Sequence, residues 1–426
     1  MALDRSLVGR IGTPDAPRQL FASTPAQRVA LARRQFFEEG VRPSGLVGEA
    51  VIQSWMRCSR THADRQRIVP FDPVTPSRLH ATLARNRQLL EAARQELGQM
   101  EHALAGTDCH VILTDREGVV VHVTQHPAAA HQPVLRKTAR VGVNIAEHIV
   151  GTTAPGIVAS TGQACTVDGA EHYFDLLCHM QCAAAPIRDV TGQLAGVLDL
   201  TVEARRFGFD AASMVSLYAT TIENRLLQAQ SRDHLILRFQ ASPTLLGTPL
   251  EALAGIAPDG TIAWLNNAGA RLLGRLPEAA DERDVEFLLG HDLASLLRLG
   301  RREAAQPLRL ASGLGVWMQA QLKGGADGAD FRHAVAMPGE AAPLAIERHD
   351  AMPAAQASEH ADGDEAAPHE QTTLREHSRK LIEETLAAHG GNVSQAARQL
   401  RVSRGTLYRR LRGWRDEAAA VADARD

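Results

Sequence analysis

Long apolar runs are missing from this 426-residue chain. Nowhere do 18 apolar residues follow one another, so a membrane-spanning helix is not expected. The opening Met-Ala-Leu-Asp-Arg has no apolar signal core, so a cytoplasmic protein is expected. Cysteine is scarce and odd in number: Cys58, Cys109, Cys165, Cys178 and Cys182. That set is unlike the disulfide framework of a small secreted domain, and reduced thiols are the default. Lysine is nearly absent, since 43 of the 46 basic residues are Arg, the coding bias of a GC-rich bacterial genome. A formal charge of −3 says nothing about nucleic acid by itself, because acidic neighbours can mask a small basic module.

What is present is enough for several cores, with 44% hydrophobic residues in a chain too long for one. Residues 1–105 show helical spacing through Phe36, Val51, Trp55, Leu79, Leu83, Leu89, Leu90 and Leu97. The pattern then changes. Cys109–Thr114 and Val119–Thr124 are β-branched runs around Asp115-Arg116-Glu117-Gly118, and Ala183–Ile187 and Leu194–Leu200 repeat the arrangement around Asp189-Val190-Thr191-Gly192. Two such hairpins predict an antiparallel sheet with helices over residues 106–209.

Residues 210–238 return to helical spacing, with Val215, Ala219, Ile222, Leu226, Ala229 and Ile236 in an a/d-like register. This stripe either pairs two chains or packs on the chain's own sheet. Gly255-Ile256-Ala257-Pro258-Asp259-Gly260-Thr261-Ile262-Ala263-Trp264-Leu265-Asn266-Asn267 reads as strand, turn, strand and helix start, and resembles the opening of a PAS domain covering residues 239–322. Residues 323–371 are Ala, Gly, Asp, Glu, His and Pro without periodicity, a flexible linker by composition.

Three helices with their caps fit into residues 372–415, leaving 416–426 as a tail. Leu374, Leu381, Ile382 and Leu386 give the first an apolar face that Gly390-Gly391 ends. Asn392 and Gln395 cap the second, which buries Val393, Ala396, Ala397 and Leu400. Ser403 caps the third, whose Leu407, Leu411 and Trp414 face inward. Ser403, Arg404, Thr406, Tyr408, Arg409, Arg410 and Arg412 are left for a partner, and suit phosphates and base edges in a major groove. Ten Arg/Lys against three Glu make this segment +7, an electrostatic footprint for double-stranded DNA.

The run from Gly391 to Leu400 followed by Val402 to Leu411 resembles the Fis-type helix-turn-helix. Gly151-Thr152-Thr153-Ala154-Pro155-Gly156, Glu171-His172-Tyr173, Cys182–Ile187 and Gly196-Val197-Leu198-Asp199-Leu200 resemble the GAF sensor of acetoin-catabolism-regulator (AcoR)-like transcription regulators. Ile52–Cys58 is similar to a helical motif near the start of that family. The resemblance implies a multidomain α+β protein: a helical N-terminal region, a GAF-like antiparallel sheet domain with flanking helices, a PAS-like segment and an all-α helix-turn-helix C-terminus. Thr153 and Pro155 stand where that family more often has Asn and an aliphatic residue, so the effector's identity does not carry over. Full-length members place an AAA+ ATPase between sensor and DNA-binding module, whereas this sequence contains no G-x-x-x-x-G-K-[ST] phosphate loop. Regulation by site occupancy or by contacts with RNA polymerase is expected, rather than ATP-driven remodelling of sigma-54 polymerase.

A GAF fold can enclose a small molecule, and Glu147, Thr152, Glu171, His172 and Asp199 are the residues expected to fix one, although such groups also serve as caps and satisfied core residues. No other cofactor is expected. Cys178-His179-Met180-Gln181-Cys182 could bind a soft metal or form a reversible disulfide, yet on a strand both sulfurs would share one face as ordinary buried residues. The expectation is an effector-controlled, homodimeric regulator on a palindromic site and not an enzyme. The alternatives are a GAF-type thiol reductase of oxidised methionine, which needs an accessible low-pKa thiolate, and an adaptor for an ATPase-bearing relative.

Overall fold

The structure is a computed structural model that describes residues 24–124, 132–274, 276–277 and 283–323, with Ile382, residues 385–389 and Gln399 beyond them. The linker and nearly all of the C-terminal helix-turn-helix lie outside the described residues. The chain divides into two compact units, Met1–Glu340 and Ala341–Asp426, and the first is described below.

Helix α1 (Pro25–Arg33) starts at a capping box in which Thr24 and Gln27 satisfy each other's backbone N–H groups, with Pro25 in the first turn. Helix α2 (Glu49–Thr61) buries Val51, Ile52, Trp55 and Cys58, an i, i+1, i+4, i+7 stripe. Helix α3 (Pro76–Arg85) is capped by Thr75, and α4 (Arg87–Leu104) buries Leu89, Ala93, Leu97, Met100 and Leu104.

The expected hairpins form and join into one antiparallel sheet of order β2-β1-β5-β4-β3: β1 (His110–Asp115), β2 (Val120–Val123), β3 (Cys165–Asp168), β4 (Met180–Arg188) and β5 (Leu194–Glu203). Asp115 closes the first turn by accepting the N–H groups of Glu117 and Val119, each at 2.9 Å. Strand alternation divides the side chains between two cores. Val111, Leu113, Ala183, Ala185, Ile187, Leu198, Leu200 and Val202 face a layer made by α4 and α8 (Ala211–Gln230). Ile112, Cys182, Ala184 and Val197 face the other side, against α2, the short helices α5 (Leu135–Thr138) and α6 (Glu147–Val150), and α7 (Ala154–Thr161). The N-terminal helices are therefore two walls of the sheet domain and not a module of their own.

For residues 210–238 one of the two expected readings holds and the expected extent of the helix changes. The stripe Val215, Ala219, Ile222 and Leu226 is buried on the chain's own sheet and on α4, so those residues are not free to pair two chains. The helix also stops at Gln230, and Ile236 belongs to a strand, β6 (His234–Gln240). Leu235, Leu237 and Phe239 face one core while Ile236 faces another, the period of two that a helical register with one misplaced member concealed.

Strand β6 is central in a second antiparallel sheet, β8-β7-β6-β10-β9, with β7 (Ala252–Ile256), β8 (Ile262–Leu265), β9 (Gln306–Arg309) and β10 (Gly315–Lys323). The PAS-like opening appears as β7, turn, β8 and α9 (Asn267–Leu273), with Asn266 capping the helix through Gly269 N–H at 2.8 Å. One face of the sheet packs on α10 (Val285–Leu289) and α11 (Leu293–Leu299). On the other, Ile236, Leu253 and Trp264 meet Leu227 of α8. Trp264 lies across its strand partner Gly255, where an added Cβ would sit 2.1 Å from the indole nitrogen, and it donates to Ser231 Oγ at 2.9 Å. Helix α8 thus serves both sheets.

Candidate functional site

Strands β4 and β5 pair Cys182 with Thr201 and Ala184 with Asp199, which puts Cys182, Asp199 and Thr201 on one face of the sheet. That face forms the floor of a cavity of about 30 Å³, room for one or two waters. Ile112, Ile145, Val150, Leu177 and Met180 make it largely apolar, while Thr138, Thr153 and His172 add polar atoms. Asp199 is 1% exposed, and its Oδ1 has no hydrogen-bond partner among the described residues. Burial raises its pKa to about 8 against the opposing effect of a Thr201 hydrogen bond, so the carboxyl is mostly protonated at neutral pH.

His172 reaches the cavity from a loop of two 3-10 turns, Gly169–Glu171 and Asp175–Leu177. Its Nδ1 lies 2.9 Å from Gly169 O and its Nε2 lies 3.6 Å from Cys182 Sγ. Burial lowers its pKa to about 4, so the ring is neutral, Nδ1–H donates to the carbonyl and Nε2 is left as an acceptor. Thr201 Oγ1 stands 2.7 Å from Cys182 Sγ. The cavity is therefore built of uncharged polar groups and suits an uncharged ligand.

The loop is held from outside by the N-terminal helices. Arg33 on α1 donates to the carbonyls of Ala170 and His172 at 2.9 and 2.7 Å and pairs with Asp175 at 2.7 Å. Trp55 on α2 donates to Glu171 O at 2.7 Å, and the Tyr173 hydroxyl to His62 O at 2.6 Å. Gly151, at φ +71, lets the loop close against it, since a Cβ there would meet the Phe174 ring at 2.9 Å.

Of the five residues expected to fix a ligand, the structure brings His172 and Asp199 together. The other three are engaged elsewhere. Glu147 accepts from Arg57 Nη2 and from Ser54 Oγ, both at 2.7 Å. Thr152 sits 2.8 Å from the same Ser54 hydroxyl and 3.6 Å from Cys58 Sγ. Glu171 caps its own turn through Asp168 N–H at 2.8 Å, with its pKa raised to about 7 by burial. Thr201 was missed, although strand alternation places it two residues beyond Asp199 on the same face, whereas Phe71 and Thr138 enter the lining from distant segments and carry no local signal.

A family model described as "MimR, N-terminal domain" matches residues 22–220, and one described as "Bacterial regulatory protein, Fis family" matches residues 373–414. The chain is 30% identical over 207 residues to the propane 2-monooxygenase operon transcriptional activator MimR of Mycolicibacterium smegmatis, covering 48% of this chain and 33% of the relative. It is 32% identical over 233 residues to the acetoin catabolism regulatory protein of Cupriavidus necator, covering 53% and 34%. Its homologues include transcriptional activators named MimR and AcoR. The chain spans about a third of the length of these curated relatives. Among solved structures, the E. coli DhaR(N)-DhaL complex is similar at 17% identity and a TM-score of 0.40, over 64% of this chain and 99% of that one.

The MimR-type match takes in α1–α4 together with the first sheet, the same grouping that the packing shows. Within it, Cys178 and Cys182 do not share a strand face. Cys178 ends the second 3-10 turn with Sγ toward Phe174 O at 3.8 Å, and β4 begins only at Met180. Burial pushes both thiols up, Cys182 well above the ordinary range, which is opposite to what a nucleophilic or redox-sensing thiolate needs. No group of three or more His, Cys, Asp or Glu able to hold a metal occurs among the described residues. No helix there is long and apolar enough to cross a membrane. Ser403, Arg404, Thr406, Tyr408, Arg409, Arg410 and Arg412 lie outside the described residues but inside the Fis-family match.

Proposed function

We propose that this chain is a cytoplasmic, homodimeric, sequence-specific DNA-binding regulator, controlled by a small uncharged effector in the cavity around Asp199. The single observation that carries the effector reading is the orphaned Oδ1 of Asp199, buried in a largely apolar cavity. A protonated carboxyl can donate to a hydroxyl or carbonyl oxygen and accept in return. An ionised effector would meet no countercharge in this lining. The relatives' names mention a propane 2-monooxygenase operon and acetoin catabolism, and acetoin, uncharged and carrying a hydroxyl and a carbonyl, is the probe that fits this chemistry. A ligand larger than one or two waters requires the cavity to widen. DNA binding rests on the Fis-family match and the +7 charge of its segment.

The test is binding of the full chain to genomic DNA fragments over a salt titration, with and without acetoin. A shared palindrome whose affinity changes with acetoin in the wild type but not in Asp199→Ala supports the proposal. Absence of DNA binding at low salt sinks it. Without a phosphate loop in this sequence, the regulation proposed is by occupancy or polymerase contact, and not by driving sigma-54 polymerase with ATP. A second reading, an adaptor for an ATPase-bearing relative, draws on the one-third coverage; co-purification with such a relative would favour it.

A further inference from the structure

A second, larger hollow lies on the other side of the loop that walls the cavity. His172 lines the cavity, and the next residue, Tyr173, lines this groove together with Phe36, Phe37, Met56, His62 and Arg65. The groove has a volume of about 460 Å³, and its floor is aromatic: Phe37 stacks edge-on to Tyr173 at 5.6 Å and lies 5.1 Å from Trp55. No carboxylate among the described residues lines it, whereas two arginines do. Arg42 already pairs with Glu49. Arg65 lays its guanidinium over the Phe37 ring at 4.3 Å, a cation–π contact that leaves its N–H groups able to donate. His62 is only 6% exposed, its ring packed against Tyr173 and Phe174 at 6.1 and 5.1 Å.

We infer that this groove is a second ligand site, for a small organic carboxylate with an apolar body. The aromatic floor takes the body and the Arg65 guanidinium the carboxylate. The chain's own residues 1–23 fit less well, since three Arg against two Asp make that segment cationic, the same sign as the groove. Carboxylate binding itself does not depend on the effector reading given above.

The test is calorimetric titration of the full chain with benzoate, using benzyl alcohol as the uncharged counterpart. Benzoate binding at least tenfold tighter than the alcohol is expected, with a tenfold or greater loss in Arg65→Gln. Ser59→Trp, which fills the groove from α2 without altering its charge, should abolish binding. Asp199→Asn should leave benzoate affinity unchanged, which separates this site from the cavity. No benzoate binding, equal affinity for the alcohol, or full affinity in folded Arg65→Gln would each overturn the assignment.

Discussion

The indole N–H of Trp55 donates to the carbonyl of Glu171 at 2.7 Å, joining α2 to a loop 116 residues away. Trp55 is fully buried, so Trp55→Phe leaves that carbonyl without its donor, a loss of about 1–3 kcal/mol plus whatever the smaller ring fails to fill. We expect a lower urea midpoint at constant m-value, together with weaker effector binding, because the same loop carries His172. A midpoint shift with unchanged effector affinity would show that the loop does not need the N-terminal helices to hold its shape.

Asp199 sets a pH dependence whose sign follows from its environment. Its pKa is about 8 in the folded chain against 3.8 for a free side chain. Between those values the unfolded chain has released a proton that the folded one keeps, so stability falls as pH rises, by up to about 1.4 kcal/mol per unit. Asp199→Asn removes this contribution. Denaturant melts at pH 5, 6, 7 and 8 should show a steeper decline for the wild type than for the variant. Parallel profiles would mean that Asp199 is ionised in the fold.

Glu147 provides the contrast. It ties Arg57 and Ser54 of α2 to α6 and does not line the cavity. Glu147→Gln weakens a pair whose arginine is partly solvated, a cost of about 1 kcal/mol, and effector affinity should stay as it was. A variant of unchanged stability with lost affinity would return Glu147 to the ligand.

How far these roles could be read beforehand depended on how local their cause was. The hairpins around Asp115-Arg116-Glu117-Gly118 and Asp189-Val190-Thr191-Gly192 follow from turn chemistry and strand alternation within a few residues, and were legible. Strand β6 was not, because Ile236 falls in helical phase with Ile222 and Leu226, and only burial on two opposite faces reveals the period of two. Glu147 and Thr152 lie close in sequence to residues that line the cavity, yet Ser54 and Arg57, some 90 residues earlier, draw them away. Arg33 holds its loop across 137–142 residues, a contact that no local pattern announces.

The C-terminal segment yields a prediction that needs only charge and spacing. Arg409 belongs to the outer, arginine-rich face of the third helix expected there, two positions after the inward-facing Leu407. If it neutralises one phosphate, Arg409→Ala should weaken binding to all DNA fragments alike and flatten the slope of log K against log salt by about 0.9. A base-reading arginine behaves differently, because its loss removes about 1–3 kcal/mol of discrimination at one position of the site. Titrations of wild type and variant on matched and mismatched fragments, at several salt concentrations, separate the two. Neither change would mean that this face of the helix does not meet DNA, and the proposed orientation of the third helix would have to be abandoned.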